Sequence, residues 1–128
     1  QILQSLNQTR DAIVAAGGNA PKGVRPPGGK INDASKAVLA KAGMPSIVWS
    51  VDTLDWKTRN AQKTIDTVLS QVKDGDIVLM HDLYEQSAIA AETLIPELTK
   101  RGYQLVTVSE MAELRGGMAA GHSYGHFR

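Results

Sequence analysis

His81 and Asp82 close a run of four apolar residues, Ile77-Val78-Leu79-Met80, that reads as a buried strand. In parallel α/β proteins the carboxyl ends of such strands open onto the cleft where ligands bind, so a titratable pair there is a better chemical candidate than the same pair in mid-helix. Histidine titrates nearest neutrality of all side chains, and His81 can therefore give or take a proton at working pH. Two other polar clusters follow predicted strands in the same manner: Arg25-Pro26-Pro27-Gly28-Gly29 and Asp52-Thr53-Leu54-Asp55-Trp56. Alone, each has a plain structural reading as a turn, a helix cap or a satisfied buried histidine. Three of them on the same end of one sheet point to an active site.

Each cluster suits a particular task. Asp55 can hold a neighbouring imidazole in one tautomer and favour its protonated form, which would make His81 a general acid. Arg25 can orient a carboxylate through a bidentate contact. Gly28 and Gly29 let peptide N–H groups approach a ligand, as an oxyanion site requires, while the double proline fixes the backbone before them. Trp56 can wall a sugar or acyl pocket, and a partly buried core tryptophan is the equal alternative. The chain has no Gly-x-Ser-x-Gly elbow, no phosphate-binding glycine loop and no His-Glu-x-x-His zinc helix. For a hydrolysis, metal-activated water is then a more natural attacker than a serine.

The elements that must position these groups alternate along the chain. Residues 2 to 16 carry an amphipathic helical pattern stopped by Gly17-Gly18, and a short strand is expected to end at Val24 or Arg25. Asn32 or Asp33 can cap a second helix through about Ala42, with Gly43 at its C-terminal cap. Ser46 to Val51 reads as a strand, Ala61 to Val72 as a helix and Ile77 to Met80 as the next strand. A helix from about Ser87 to Arg101, interrupted or bent by Pro96, leads to a strand at Gln104 to Val108, and Ser109 is placed to cap a last helix through Leu114. This order predicts an α/β fold with a parallel sheet and crossover helices. A closed eightfold barrel takes ~250 residues, so four strand-helix units amount to about half of one, with an open doubly wound sheet as the alternative.

With 128 residues and 42% hydrophobic content the chain can form one domain with a core. Its 14 basic and 13 acidic residues nearly cancel, which leaves no electrostatic footprint for nucleic acid or an anionic membrane. The lack of cysteine excludes disulfides and thiolate metal sites. No apolar run approaches the ~20 residues that span a bilayer, so no membrane insertion is expected. The start, Gln1-Ile2-Leu3-Gln4, lacks methionine and the features of a signal peptide, and a processed or partial piece of a longer protein is expected.

Taken together, these motifs resemble those of the polysaccharide deacetylases of carbohydrate esterase family four. Arg25-Pro26-Pro27-Gly28-Gly29 is similar to the family's third motif, Trp49-Ser50-Val51-Asp52-Thr53-Leu54-Asp55-Trp56 to its fourth and Ile77-Val78-Leu79-Met80-His81-Asp82 to its fifth. Gly102 to Val108 and the short helix after it resemble the family's usual ending. The resemblance implies the C-terminal half of a distorted (β/α) barrel with parallel strands, spanning residues 1–115, followed by a Gly-rich tail at 116–128. It implies metal-dependent removal of acetyl groups from a polysaccharide, with peptidoglycan N-acetylglucosamine first, acetylxylan next and chitin oligomers third. His81 matches the general acid, Asp55 the carboxylate that tethers it, and Arg25 the arginine that orients the catalytic base. Trp56 and Leu79 match walls of the acetyl pocket, and the amide of Gly28 matches an oxyanion contact at a position where the family often has tyrosine.

The family's first two motifs, which carry the base and the metal ligands, are not found in the chain. A divalent metal, zinc before cobalt or nickel, is therefore expected to be held by an absent N-terminal half, which becomes a partner along with the acetylated polysaccharide. The chain alone would be inactive. His122 and His126 in the tail imitate the second motif's spacing with Phe127 in place of its proline, and they are weak metal candidates. An extracellular or cell-wall bacterial setting follows from the resemblance. The competing reading from another class is an inactive carbohydrate-binding module that keeps the aromatic wall without the chemistry.

Overall fold

The computed structural model describes residues 1–128. In chain order the elements are α1 (Ile2–Ala15), α2 (Asp33–Lys41), β1 (Ser46–Ile47), β2 (Val51–Asp52), α3 (Asp55–Thr58), α4 (Ala61–Gln71), β3 (Val78–Leu79), α5 (Glu85–Lys100), α6 (Val108–Leu114) and β4 (Ser123–Tyr124). They fall into two units, one of residues 1–48 with 116–124 and the other of residues 49–115 with 125–128.

In the first unit, α1 forms on its 3.6-residue apolar period, yet Ile2, Leu3, Ile13 and Val14 remain exposed and no α1 residue is buried. Asn32 caps α2 by accepting the Ser35 amide at 2.8 Å. Strand β1 pairs in parallel with β4, Ser46 facing Ser123 and Ile47 facing Tyr124, and Val24 makes a single parallel bridge to Ser46. Ser46 is wholly buried, and its hydroxyl donates to Ser123 Oγ at 3.0 Å. The Gly-rich tail is thus part of the sheet rather than a loose end.

The second unit is built on α4 and α5. Ile65 and Val68 on α4 meet Ala90, Leu94 and Leu98 on α5, with Leu69, Val72, Val78, Met80 and Tyr103 packed around them. Both sets recur at spacings of three and four, so each helix buries one stripe, and each fully buried Leu or Val contributes about 1.5–3 kcal/mol. Strand β2 lies parallel to β3, pairing Val51 with Val78 and Asp52 with Leu79. Phe127 is buried, and its amide donates to the Gly75 carbonyl at 2.8 Å. Arg115 holds Asp74 at 2.6 Å and Arg128 holds Asp76, so charged contacts ring this closure.

Several sequence expectations change here. Ser46 to Val51 is two short strands in separate units, because β1 and β2 find different partners. The strand expected to end at Val24 or Arg25 is one isolated bridge. Gln104 to Thr107 is not a strand: no neighbouring chain segment supplies ladder donors and acceptors, Leu105 and Val106 are exposed, and Val108 already belongs to α6. Pro96 does not interrupt α5, which runs unbroken from Glu85 with that residue on its exposed side. Helix α6 is capped by Thr107, not Ser109, through a reciprocal capping box with Glu110.

Gly75 sits at φ +86°, and a Cβ built on it would lie 2.1 Å from the Phe127 carbonyl oxygen. Gly102 has a similar φ of +92° with open space around it. Alanine at Gly102 should cost about 1 kcal/mol or more from the backbone alone. Alanine at Gly75 should lower the melting temperature further, because Phe127 must also leave its place. Thermal denaturation of the two variants measures the difference.

Candidate functional site

The second unit gathers Asp55, Trp56, Leu79 and His81, and a chain reversal between β2 and α3 explains how. Asp52 Oδ1 accepts the Leu54 amide at 3.0 Å, and Leu54 adopts φ +50°, a left-handed conformation that costs a leucine roughly 1–2 kcal/mol. Thr53, buried beside this turn, donates its hydroxyl to the Leu79 carbonyl at 2.7 Å. The turn is thereby fastened to β3, two residues before His81, and Asp55 enters α3 facing the strand end.

Asp55 is 2% exposed and its carboxylate is fully occupied. Oδ1 accepts the Trp56 amide at 2.9 Å and faces His81 Nδ1 at 2.8 Å, while Oδ2 accepts the His81 amide at 2.6 Å and the Ser87 hydroxyl at 2.7 Å. Four donors meet the four lone-pair positions of an ionised carboxylate. Burial pushes this carboxyl up. The bonds from the Ser87 hydroxyl, the His81 ring, the His81 amide and the Trp56 amide outweigh it, so the group lies below the ordinary aspartate value. An ionised Asp55 requires His81 Nδ1 to carry the hydrogen, which fixes the tautomer and leaves Nε2 as the atom for proton exchange. The His81 side chain is 25% exposed, enough for a ligand or water to reach it.

The other predicted residues take varied places. Trp56 lends its amide to Asp55 and is itself about half exposed, at 48%. Leu79 is buried within β3. Arg25 and Gly28 belong to the first unit and are exposed. Gly28 lies at φ +61° in a single 3₁₀ turn, Pro27–Gly29, that follows the buried Pro26. Of the two glycine amides expected to face a ligand, that of Gly29 is spent on the Pro26 carbonyl at 2.9 Å.

His122 and His126 are exposed; the first orients Nδ1 toward the Ala120 carbonyl at 3.3 Å, and the second bridges Asp76 through its backbone. No group of three or more His, Asp or Glu side chains is brought together as metal ligands. The residues of this chain do not by themselves fit a divalent metal.

Sequence reasoning missed Ser87 and Thr53. Ser87 continues the buried stripe of α5 through Ala90, Leu94 and Leu98, and a hydroxyl on such a stripe needs a partner. That spacing, six residues after His81, was the available signal. Thr53 offered none beyond its place between two aspartates.

Residues 1–47 match the family model for polysaccharide deacetylase. The chain is similar to the peptidoglycan-N-acetylmuramic acid deacetylase PdaC of Bacillus subtilis, 43% identical over 115 residues that make up 90% of this chain and 24% of the relative. It is also similar to the peptidoglycan-N-acetylglucosamine deacetylase PgdA of Listeria monocytogenes, 39% identical over 111 residues, 87% of this chain and 23% of the relative. The solved structure of PdaC superposes with a TM-score of 0.80 at 42% identity, covering 89% of this chain and 56% of that one. A family 4 acetyl xylan esterase from Clostridium thermocellum, solved with a cobalt ion, gives a TM-score of 0.85 at 25% identity over 98% of this chain and 63% of that one. The chain thus spans about a quarter of the length of these curated relatives. Its helices and parallel strands are those of part of a (β/α) barrel.

Because Asp55 is held below its ordinary value in the folded state, the unfolded chain takes up a proton first as pH falls. Its stabilising contribution is complete above the unfolded carboxyl value, about 4, and is lost as pH drops through the lower folded value. Ser87→Ala removes one of the lowering bonds and leaves Oδ2 short of a donor. The variant should lose about 1–3 kcal/mol near neutral pH and unfold at a higher pH than the parent in an acid titration followed by circular dichroism.

Proposed function

The chain belongs to the polysaccharide deacetylases of carbohydrate esterase family four, corresponding to the C-terminal part of their domain, and from this premise we propose that it supplies the proton donor for hydrolytic deacetylation of a cell-wall polysaccharide. The observation that carries the reading is the Asp55–His81 pair: a buried, ionised carboxylate bound to Nδ1, with Nε2 left to act. Hydrolysis of an N-acetyl group forms a bond from water oxygen to the carbonyl carbon and breaks the C–N bond. An amine leaves readily only when its nitrogen gains a proton. Protonated His81 gives that proton from Nε2 to the departing nitrogen, or to oxygen in an ester, while the Asp55 charge stabilises the imidazolium before transfer. Acetate and a free amine result.

The remaining roles follow the family pattern. Arg25 orients the carboxylate base that takes the proton from water, Gly28 offers its amide to the carbonyl oxygen, and Trp56 and Leu79 wall the acetyl group. Base and metal, zinc in preference to cobalt or nickel, belong in this reading to the portion of the relatives that these 128 residues do not span. Residues 1–115 are then a partial domain whose partner is its N-terminal half, with 116–128 as the tail. N-acetylglucosamine of peptidoglycan is the preferred substrate, and a cell-wall location outside the membrane follows. Support for a peptidoglycan substrate comes from the names of both relatives, one of which acts on N-acetylglucosamine and the other on N-acetylmuramic acid.

Acetate release from purified peptidoglycan by the full-length protein tests the proposal. His81→Asn should lower the rate roughly 10²–10⁴-fold, the range for a general acid, with the circular dichroism spectrum unchanged. Undiminished activity in the variant would overturn the role of His81, and binding of glycan without any acetate release by the parent would favour the inert module.

A further inference from the structure

Arg59 ends α3 at φ +45° and ψ +43°, a left-handed position that glycine ordinarily takes after a helix. An arginine there is strained, and no ion pair of its own accounts for it: the residue is exposed and makes none with a carboxylate. Its amide donates to the Asp55 carbonyl at 2.9 Å, and its guanidinium lies over Tyr84, 4.8 Å from the ring centre. Tyr84 in turn stands 6.3 Å from the His81 ring, centre to centre. The Tyr84 ring therefore neighbours both the proposed proton donor and an unpaired cation, and cation–π contact keeps that cation from folding away. Trp56, about half exposed, sits on the same one-turn helix.

Backbone strain kept at an exposed residue beside a reactive group is a mark of function rather than of folding. Arginine, planar and always charged, recognises carboxylates with paired N–H groups. Resting on the deacetylase reading above, we propose that Arg59, propped on Tyr84, forms a subsite for a carboxylate carried by the glycan next to the reacting acetyl group. The substrate class is accordingly an anionic acylated polysaccharide, such as one bearing lactyl or peptide carboxylates, in preference to a neutral one.

The test compares three glycans with the full-length protein: peptidoglycan strands with free carboxylates, the same strands with those carboxylates methyl-esterified, and neutral chitotetraose. Arg59→Gln should raise KM for the free-acid strands about tenfold relative to the esterified strands, with kcat nearly preserved, and Arg59→Lys should recover part of the loss. Arg59→Gly separates function from folding. Glycine relieves the strained backbone, so this variant should melt no lower than the parent yet show the same selective rise in KM. A KM rise of equal size on free-acid and esterified strands, or none on either, would overturn the subsite. Should the parent release acetate from none of the three glycans, the deacetylase reading falls, and calorimetric binding decides the subsite separately: the parent must bind free-acid strands more tightly than esterified ones, and Arg59→Gln must erase that preference. Equal affinities in the parent would end the proposal.

Discussion

The buried carboxylate of Asp55 is the constraint on which the second unit turns. An ionised group taken out of water costs several kcal/mol unless it is paired and its lone pairs are filled. Here the filling comes from three separate stretches of chain: the start of α3, His81 two residues after β3, and the first turn of α5. No one of these segments can shift without exposing a charge to an apolar interior. Asp55 therefore does more than tether an imidazole; it fixes where a helix start, a strand end and a second helix start meet. Holding His81 by both its amide and its ring removes the freedom a lone side-chain contact would leave.

Two-residue strands cannot hold such a site by ladder bonds alone. Side chains supply what the short ladder lacks. Thr53 bonds the Leu79 carbonyl, and Ser50 bonds Asp76 at 2.8 Å, so the β2–β3 pair is stitched at both ends. Register matters because a slip of one residue turns every strand side chain to the opposite face. With Asp52 opposite Leu79, the chain places Asp55 and His81 within reach of each other across the strand ends. Asp76 repeats the logic at the far end. Burial pushes its carboxyl up, but the Lys73 amide, the Ser50 hydroxyl and the Arg128 guanidinium hold it below the ordinary value. Arg128 adds its charge there while Phe127 fills the apolar space beside it.

Helices were legible in the sequence because their signals are local. The 3.6-residue stripe of Ile65, Val68, Leu69 and Val72 and the Asn32 cap need no knowledge of distant residues. Strands were legible only as apolar runs, since their limits depend on which neighbour offers a ladder. Gln104 to Thr107 has the composition of a strand and no partner, while Ser123–Tyr124 lies in a Gly-rich tail and pairs with β1. Thr107 displaced Ser109 as a cap because Glu110 stands three residues after the threonine and completes the box. In the site, charged and aromatic residues announced themselves, whereas Ser87 was hidden by its common side chain and spoke only through its place on a buried stripe.

The strain in α3 follows from the same economy of contacts. A four-residue helix has too few internal bonds to persist by itself, since the nucleus costs more than one turn returns. Left-handed residues bracket it, Leu54 before and Arg59 after, and each adds to that cost. What offsets these terms is the set of bonds made by Asp55 at the first helical position, together with the Thr53 contact beneath it. Helix α3 is therefore a structure imposed by its carboxylate, not one that presents the carboxylate incidentally. Because the turn exists through Asp55, everything it carries is positioned by the same bonds: the exposed indole of Trp56 on one side and the guanidinium of Arg59 at its end. Imidazole, aromatic surface and cation share a single anchor, so a ligand that engages one of them meets the other two in fixed relation.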